Sequence, residues 1–143
     1  QEYRSIKVTI HVDEDLPPLV TFHGRLQQIL LNLINNAFAA VDDGGLIDIT
    51  ARRSDDHSVT IQVEDNGCGM SEYEMKRVFE PFYTTRRRQG GTGLGLSITY
   101  SLAQELGGSI DVESEPGVGT RFRVTLPLEA SHEKGKTDES APR

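Results

Sequence analysis

Two stretches of the chain, "LIDITARR" (46–53) and "SVTIQVED" (58–65), alternate apolar and polar residues and are separated by four polar ones. Alternation sends successive side chains to opposite faces, so each stretch buries one face only, and the short polar connection folds one back on the other as a hairpin. The pattern recurs near the far end, where "SIDVESE" (109–115) and "TRFRVTLPL" (120–128) flank the turn "PGVG". Two hairpins with one apolar face each need a covering layer. From His23 to about Val41, residues Leu26, Ile29, Leu30, Leu33, Ile34, Ala37 and Val41 recur at the three-and-four spacing of an amphipathic helix, which "DDGG" (42–45) stops. A second helix is expected from about Gly93 to Leu106, closed by Gly107 and Gly108, and a short one over "EYEMKRVF". A leading strand, "IKVTIHV" (6–12), reads as half-buried and is broken by "DLPPL". The pattern predicts an α+β two-layer sandwich: a mixed, mainly antiparallel sheet covered on one face by helices. The stretch from Glu129 onward has nothing apolar to pack and is expected to be disordered, which leaves one domain over 1–128 and a tail over 129–143.

Composition narrows the function. With 143 residues the chain supports a single core. A net charge of −7 argues against a nucleic-acid surface. The lone cysteine, Cys68, excludes an internal disulfide framework and fits a reducing compartment, so a cytoplasmic location is expected. His11, His23, His57 and His132 are scattered without ligand spacing. No signal peptide is visible, and the most apolar run, "ILLNLINNAFAAV", holds three asparagines and is too short to span a bilayer. The chain starts on Gln1 and enters a strand pattern almost at once, so it reads as an excised piece of a longer protein, with any membrane anchor in other segments.

Against that acidic background, three arginines at 86–88 stand just before "GTGLGLS" (91–97). Glycines let backbone N–H groups approach a ligand closely, and a helix start favours anions, so phosphate is the first suspect. The loop is not a Walker loop, since it holds no lysine, nor a dinucleotide fingerprint, since Leu96 stands where a third glycine is needed. A solvated loop with no specific ligand is the competing reading. Asn32 and Asn36, four apart, share a flank of the first helix's apolar stripe beside Ile29 and Arg25. Two carboxamides at the lip of a core suit a ligand or a hydrated cation, although asparagines also satisfy local backbone. Asp65 closes a strand and opens "DNGCGM"; its carboxylate can only accept when ionised, and it suits an N–H donor on a planar base, yet "DNG" is also a common turn.

Taken in order, these segments resemble the catalytic, ATP-binding domain of a sensor histidine kinase, within the superfamily that holds gyrase-type ATPases and heat-shock chaperones. The N box is "QQILLNLINNAFAAV", the first glycine box "VEDNGCGM", the F box "VFEPFYTT" with Phe79 and Phe82, and the second glycine box "GTGLGLSI"; "GVGTRFRVTLPL" completes the set. The resemblance implies the family's Bergerat ATP-binding fold, with nucleotide held between helices and sheet beneath a lid. Asp65 would accept from the exocyclic amine of adenine, backed by Thr120, with Gly67 and Gly69 close by. Asn36 and Asn32 would hold Mg²⁺ and the phosphates. Gly91, Thr92, Gly93, Leu94, Gly95 and Leu96 would cradle the triphosphate, and one or more of Arg86, Arg87 and Arg88 would steady the γ-phosphate.

The family phosphorylates a histidine on a separate dimerising helical hairpin and feeds a response regulator in two-component signalling. No histidine of this chain sits in that setting, so the acceptor histidine and its acidic base are expected outside it. The fragment is expected to be a monomer and its parent a homodimer. Two departures stand out. Where many members carry a basic residue after the second N-box asparagine, this chain has Ala39 and Ala40, which passes the phosphate contact to the lid arginines or Arg25. The lid, about a dozen residues, is short and resembles the nitrogen-regulation type. Alternatives that share much of the pattern are a hydrolytic ATPase, a serine kinase of the anti-sigma type, and a binding module without catalysis. Hydrolytic relatives place a glutamate where Asn32 stands, as a base for water.

Overall fold

The computed structural model describes residues 5–83 and 95–130. Its five strands are β1 (Lys7–Val12), β2 (Leu46–Asp55), β3 (Ser58–Asp65), β4 (Ser109–Glu115) and β5 (Gly119–Pro127); its helices are α1 (His23–Ala40), α2 (Glu72–Arg77) and α3 (Gly95–Glu105). The sheet runs β1-β2-β3-β5-β4. Only β1 and β2 pair in parallel; both hairpins and the β3–β5 contact are antiparallel. The mixed, mainly antiparallel sheet expected from the alternation is therefore present, with β3 at its centre.

The helices cover one face. Ile29, Leu33, Ala37 and Ala40 form the buried stripe of α1, and Thr99 and Ala103 that of α3. Beneath them the inward positions Ile47, Val59, Ile61, Val63, Ile110, Phe122, Val124 and Leu126 are buried. Packing, not capping, fixes α1, because its N-cap residue Phe22 makes no side-chain cap bond. The short α2 has the opposite balance: none of its residues is buried, and a capping box between Ser71 and Glu74 holds its start.

The leading strand departs from the half-buried expectation. Val8, Ile10 and Val12 pair with Ile47, Ile49 and Ala51 and so share the helix-side face, yet they are 40%, 69% and 56% exposed. The cause is position: β1 is the sheet edge, and α1 and α3 lie over β3, β4 and β5. At the other end, Glu129 and Ala130 are tied to the connection after β1: Val20 N–H donates to the Leu128 carbonyl (2.9 Å) and Ala130 N–H to the Val20 carbonyl (2.8 Å). Paired backbone thus runs two residues beyond Leu128. No helix among the described residues is long and apolar enough to cross a membrane.

The uncovered face of the sheet is a lattice of ion pairs. Arg121 lies between Glu64 (3.2 Å) and Glu113 (3.1 Å), and Arg123 between Glu113 (2.8 Å) and Asp111 (3.3 Å). The hydrogen bond from Arg123, aided by its charge and that of Arg121, holds the Glu113 carboxyl below the ordinary glutamate range. A depressed carboxyl stabilises the fold above its unfolded pKa and loses that contribution as pH falls through the folded value. Carbon-detected NMR titration is expected to show Glu113 titrating at lower pH than a free glutamate, and Arg123→Ala to move it back up. Identical titration in the two proteins would mean that the pair does not hold the carboxyl in solution.

Candidate functional site

One row of inward-facing residues crosses the end of the sheet: Ile47 on β2, Asp65 on β3, Thr120 on β5 and Ser114 on β4. The alternation that buries Val59, Ile61 and Val63 carries Asp65 to the same face, where it is 6% exposed. Its Oδ1 accepts from the Gly67 N–H at 2.8 Å, an Asx turn that aims the carboxylate. Beside it, buried Thr120 is 2.8 Å from the Ser114 hydroxyl. Ser114 donates to the Gly119 carbonyl (2.9 Å) and accepts from the Met70 N–H (2.7 Å), so its one proton is committed and Thr120 supplies the proton between the two hydroxyls.

The loop between Asp65 and α2 is wedged on both sides. The Cys68 N–H donates to the Ala40 carbonyl at the end of α1 (3.2 Å), and the Gly117 N–H to the Cys68 carbonyl (2.7 Å). A Cβ on Gly67 would overlap the Ala40 carbonyl, and one on Gly69 the Glu115 carbonyl; Gly69 also has φ +71°. Only glycine meets both demands at position 69. The first glycine box is thus fixed by steric closeness as well as by turn geometry.

A second group of candidates lies along the seam of α1 and α3, which run antiparallel. Asn32 Nδ2 donates to the Gly95 carbonyl (3.1 Å) and to Thr99 Oγ1 (3.0 Å), while its Oδ1 accepts from Gln28 Nε2 (2.9 Å). Asn36 is half-buried one turn further on, and Ala40, one more turn along, is the residue that grips Cys68. The helix therefore joins the two groups. Leu96 packs against the core. Among the described residues nothing lies within 4 Å of a Cβ built on Gly95, so packing does not demand glycine there.

Arg25 is not near these groups. It pairs with Glu105 at the far end of α3 (3.0 Å) and lies over the Phe22 ring at 4.8 Å, about 10 Å along α1 from Asn32. The fallback contact from Arg25 to phosphate that the sequence suggested would have to compete with that pairing. Phe79 and Phe82 of the F box part company: Phe79 lies tilted against Tyr100 (5.5 Å) and edge-on to Phe122 (6.1 Å), whereas Phe82, at φ +68°, is exposed. Arg86, Arg87, Arg88, Gly91, Thr92, Gly93 and Leu94 lie outside the described residues. Sequence reasoning missed Ser114 and Thr99. The signal for Ser114 was a small polar residue at an inward register position opposite Thr120; for Thr99, a hydroxyl one turn from Gly95 on the buried stripe.

Residues 23–130 match the family described as histidine kinase-, DNA gyrase B- and HSP90-like ATPase. The chain is 40% identical over 135 residues to sporulation kinase E of Bacillus subtilis (strain 168), covering 94% of this chain and 18% of that protein. It is 39% identical over 127 residues to the alginate biosynthesis sensor protein KinB of Pseudomonas aeruginosa, covering 89% and 21%. Among solved structures it is similar to a nucleotide-free catalytic domain of the histidine kinase ThkA (32% identity, TM-score 0.74, 87% of this chain and 81% of that one). It is also similar to full-length ShkA in complex with AMPPNP (34% identity, TM-score 0.78, 88% and 26%). The chain spans about a fifth of the length of these two curated relatives.

The wedged loop generates a stability test. Gly69→Ala combines a positive φ with an overlap against backbone and is expected to cost about 1–3 kcal/mol in denaturant unfolding. Gly24→Ala, on α1 with nothing within 4 Å, is expected to be neutral or to stabilise by up to about 1 kcal/mol. Equal effects at the two positions would show that loop 66–70 is not clamped.

Proposed function

The chain belongs to the histidine kinase-, DNA gyrase B- and HSP90-like ATPase family, and from that premise we propose that it binds Mg²⁺–ATP and donates the γ-phosphate to a histidine on a separate dimerising helical hairpin. The observation that carries this reading is the buried Asp65 carboxylate, aimed by Gly67 and flanked by Thr120, at the end of the sheet where the helix layer closes over it. A buried acceptor of that kind suits the exocyclic amine of adenine, with Gly67 and Gly69 letting the base approach the backbone.

The phosphates belong at the α1–α3 seam. Gly95, whose missing side chain the described packing does not require, opens α3, and backbone N–H groups of a helix start favour a polyphosphate. The donor set suits Mg²⁺: carboxamide oxygens are hard ligands, and Mg²⁺ keeps several waters and shares itself between substrate phosphates and one or two protein oxygens. Asn36 and Asn32 would supply those oxygens, and the ion would neutralise phosphate charge. Arg86–Arg88 would add positive charge at the γ-phosphate. Positioning and charge neutralisation are most of what phosphoryl transfer needs.

Transfer to protein is favoured over hydrolysis by Asn32, which stands where hydrolytic relatives resemble one another in having a glutamate. Its carboxamide takes no proton and is already bonded to Gly95, Thr99 and Gln28. Exposed Phe82, three residues after the Phe79 that packs on Tyr100, supports docking of the helical hairpin on that side. The parent would act as a homodimer upstream of a response regulator, with residues 1–128 as its ATP-binding unit.

Titration calorimetry with a non-hydrolysable ATP analogue and Mg²⁺ is the direct test, and no heat at millimolar nucleotide would sink the reading. Asp65→Asn is expected to lower affinity about 5- to 150-fold with the fold intact, since an amide can present a donor to the adenine amine and leave it unpaired. Near-native affinity would reduce Asp65 to a turn residue. Sustained hydrolysis by the isolated chain, lost in Asn36→Ala, would favour a hydrolytic ATPase. Replacing Arg86, Arg87 and Arg88 together with alanine is expected to weaken ATP more than ADP; equal losses would leave the arginines as a diffuse field only.

A further inference from the structure

Thr99 is fully buried in α3, at 0% exposure, and its hydroxyl donates to the Gly95 carbonyl at 2.8 Å. Bonding back to the carbonyl four residues earlier is an ordinary habit of helical threonine. The second bond at this hydroxyl is not local: it accepts from Asn32 Nδ2, 67 residues away on α1, at 3.0 Å. Because the Thr99 proton already goes to Gly95, Oγ1 can only accept from Asn32, and the Gly95 carbonyl, 3.1 Å from the same nitrogen, is an acceptor by nature. Both α3 partners of Asn32 therefore demand its NH₂ group. A carboxamide so held has one orientation, with Oδ1 turned away from the α3 acceptors toward Gln28, which donates to it at 2.9 Å.

We propose that Thr99 is a positioning residue for the metal–nucleotide site: by fixing the Asn32 carboxamide it ensures that an oxygen, not an NH₂ group, faces the side of α1 that Asn32 shares with Asn36. This rests on the nucleotide reading above. An oxygen there is a ligand for a hard cation; an NH₂ group repels one. A carboxamide oxygen accepts more than one bond, so the Gln28 contact leaves it able to serve a metal. Without the Thr99 hydroxyl, Asn32 keeps a single α3 acceptor and swings more freely, so the oxygen is presented only part of the time.

The test uses the full chain and compares ATP affinity with Mg²⁺ against ATP affinity in chelator, by calorimetry. Wild type is expected to gain affinity from Mg²⁺. Thr99→Val is expected to lose about fivefold of that gain, while metal-free ATP affinity stays within twofold and Thr99→Ser restores the wild-type gain. Thr99→Ala, in case valine disturbs the packing, is expected to show the same loss, with circular dichroism confirming the fold. A full Mg²⁺-dependent gain in both Thr99→Val and Thr99→Ala overturns the inference and leaves the nucleotide reading standing. Equal losses with and without Mg²⁺, not restored by serine, overturn it too and mark Thr99 as a packing residue. Absence of ATP binding by wild type overturns the nucleotide reading, and this inference with it.

Discussion

Residues 66–70 pass between a helix end and a strand turn so closely that side chains are excluded at 67 and 69, and the rest of the site depends on that approach. On one side the loop meets the last carbonyl of α1; on the other it meets the turn between β4 and β5. The helix layer and the sheet end are thereby joined through a third element. Asp65 sits at the root of the loop, and its carboxylate is aimed by the Gly67 N–H. A bulkier residue at 67 would push the chain off Ala40 and turn the carboxylate with it. Ser114 completes the clamp, because one hydroxyl serves Met70, Gly119 and Thr120 together. In a buried setting each of these polar groups is costly to leave unmatched, so the network specifies one arrangement.

Apolar packing does the complementary work of holding α1 at a fixed rotation. With Ile29, Leu33, Ala37 and Ala40 pressed against the sheet, the row Gln28–Asn32–Asn36 has no freedom but to lie on the flank. The antiparallel α3 then meets that row with Gly95 and Thr99, while Arg25 and Glu105 close the opposite end of the seam. Phe79 ties the segment after α2 into the same body through Tyr100 and Phe122. Each helix is placed by its buried stripe; the polar contacts refine a position that burial has already chosen.

What could be read in the sequence was what local periodicity and box order encode. The two hairpins and the apolar stripe of α1 follow from alternation and helical spacing. The parallel pairing of β1 did not, because register between distant segments carries no local mark. Nor did the exposure of Val8, Ile10 and Val12: alternation reports which residues share a face and is silent on whether a helix reaches over that face. Spacing of seven put Arg25 on the flank of Asn32, and both face α3, but spacing could not name its partner, Glu105, eighty residues away. Ser114 and Thr99 were overlooked because small hydroxyl residues are unremarkable until their partners are known.

The site therefore divides by how it is built. The half around Asp65 is made from strand ends and a clamped loop, where the main chain itself sets the geometry, and strand registers fix Asp65 against Thr120 to within a residue. Its other half is made from side chains on two helices that meet along one face, and its geometry passes through single hydrogen bonds at Asn32 and Thr99. Under the proposed reading this division matches the demands on each. Adenine is unchanged by the reaction, so a rigid acceptor can be complementary to it throughout. The phosphates shift charge and lose a group, so their surroundings must accommodate two states, and side-chain hydrogen bonds across a helix seam can re-form where a backbone clamp cannot.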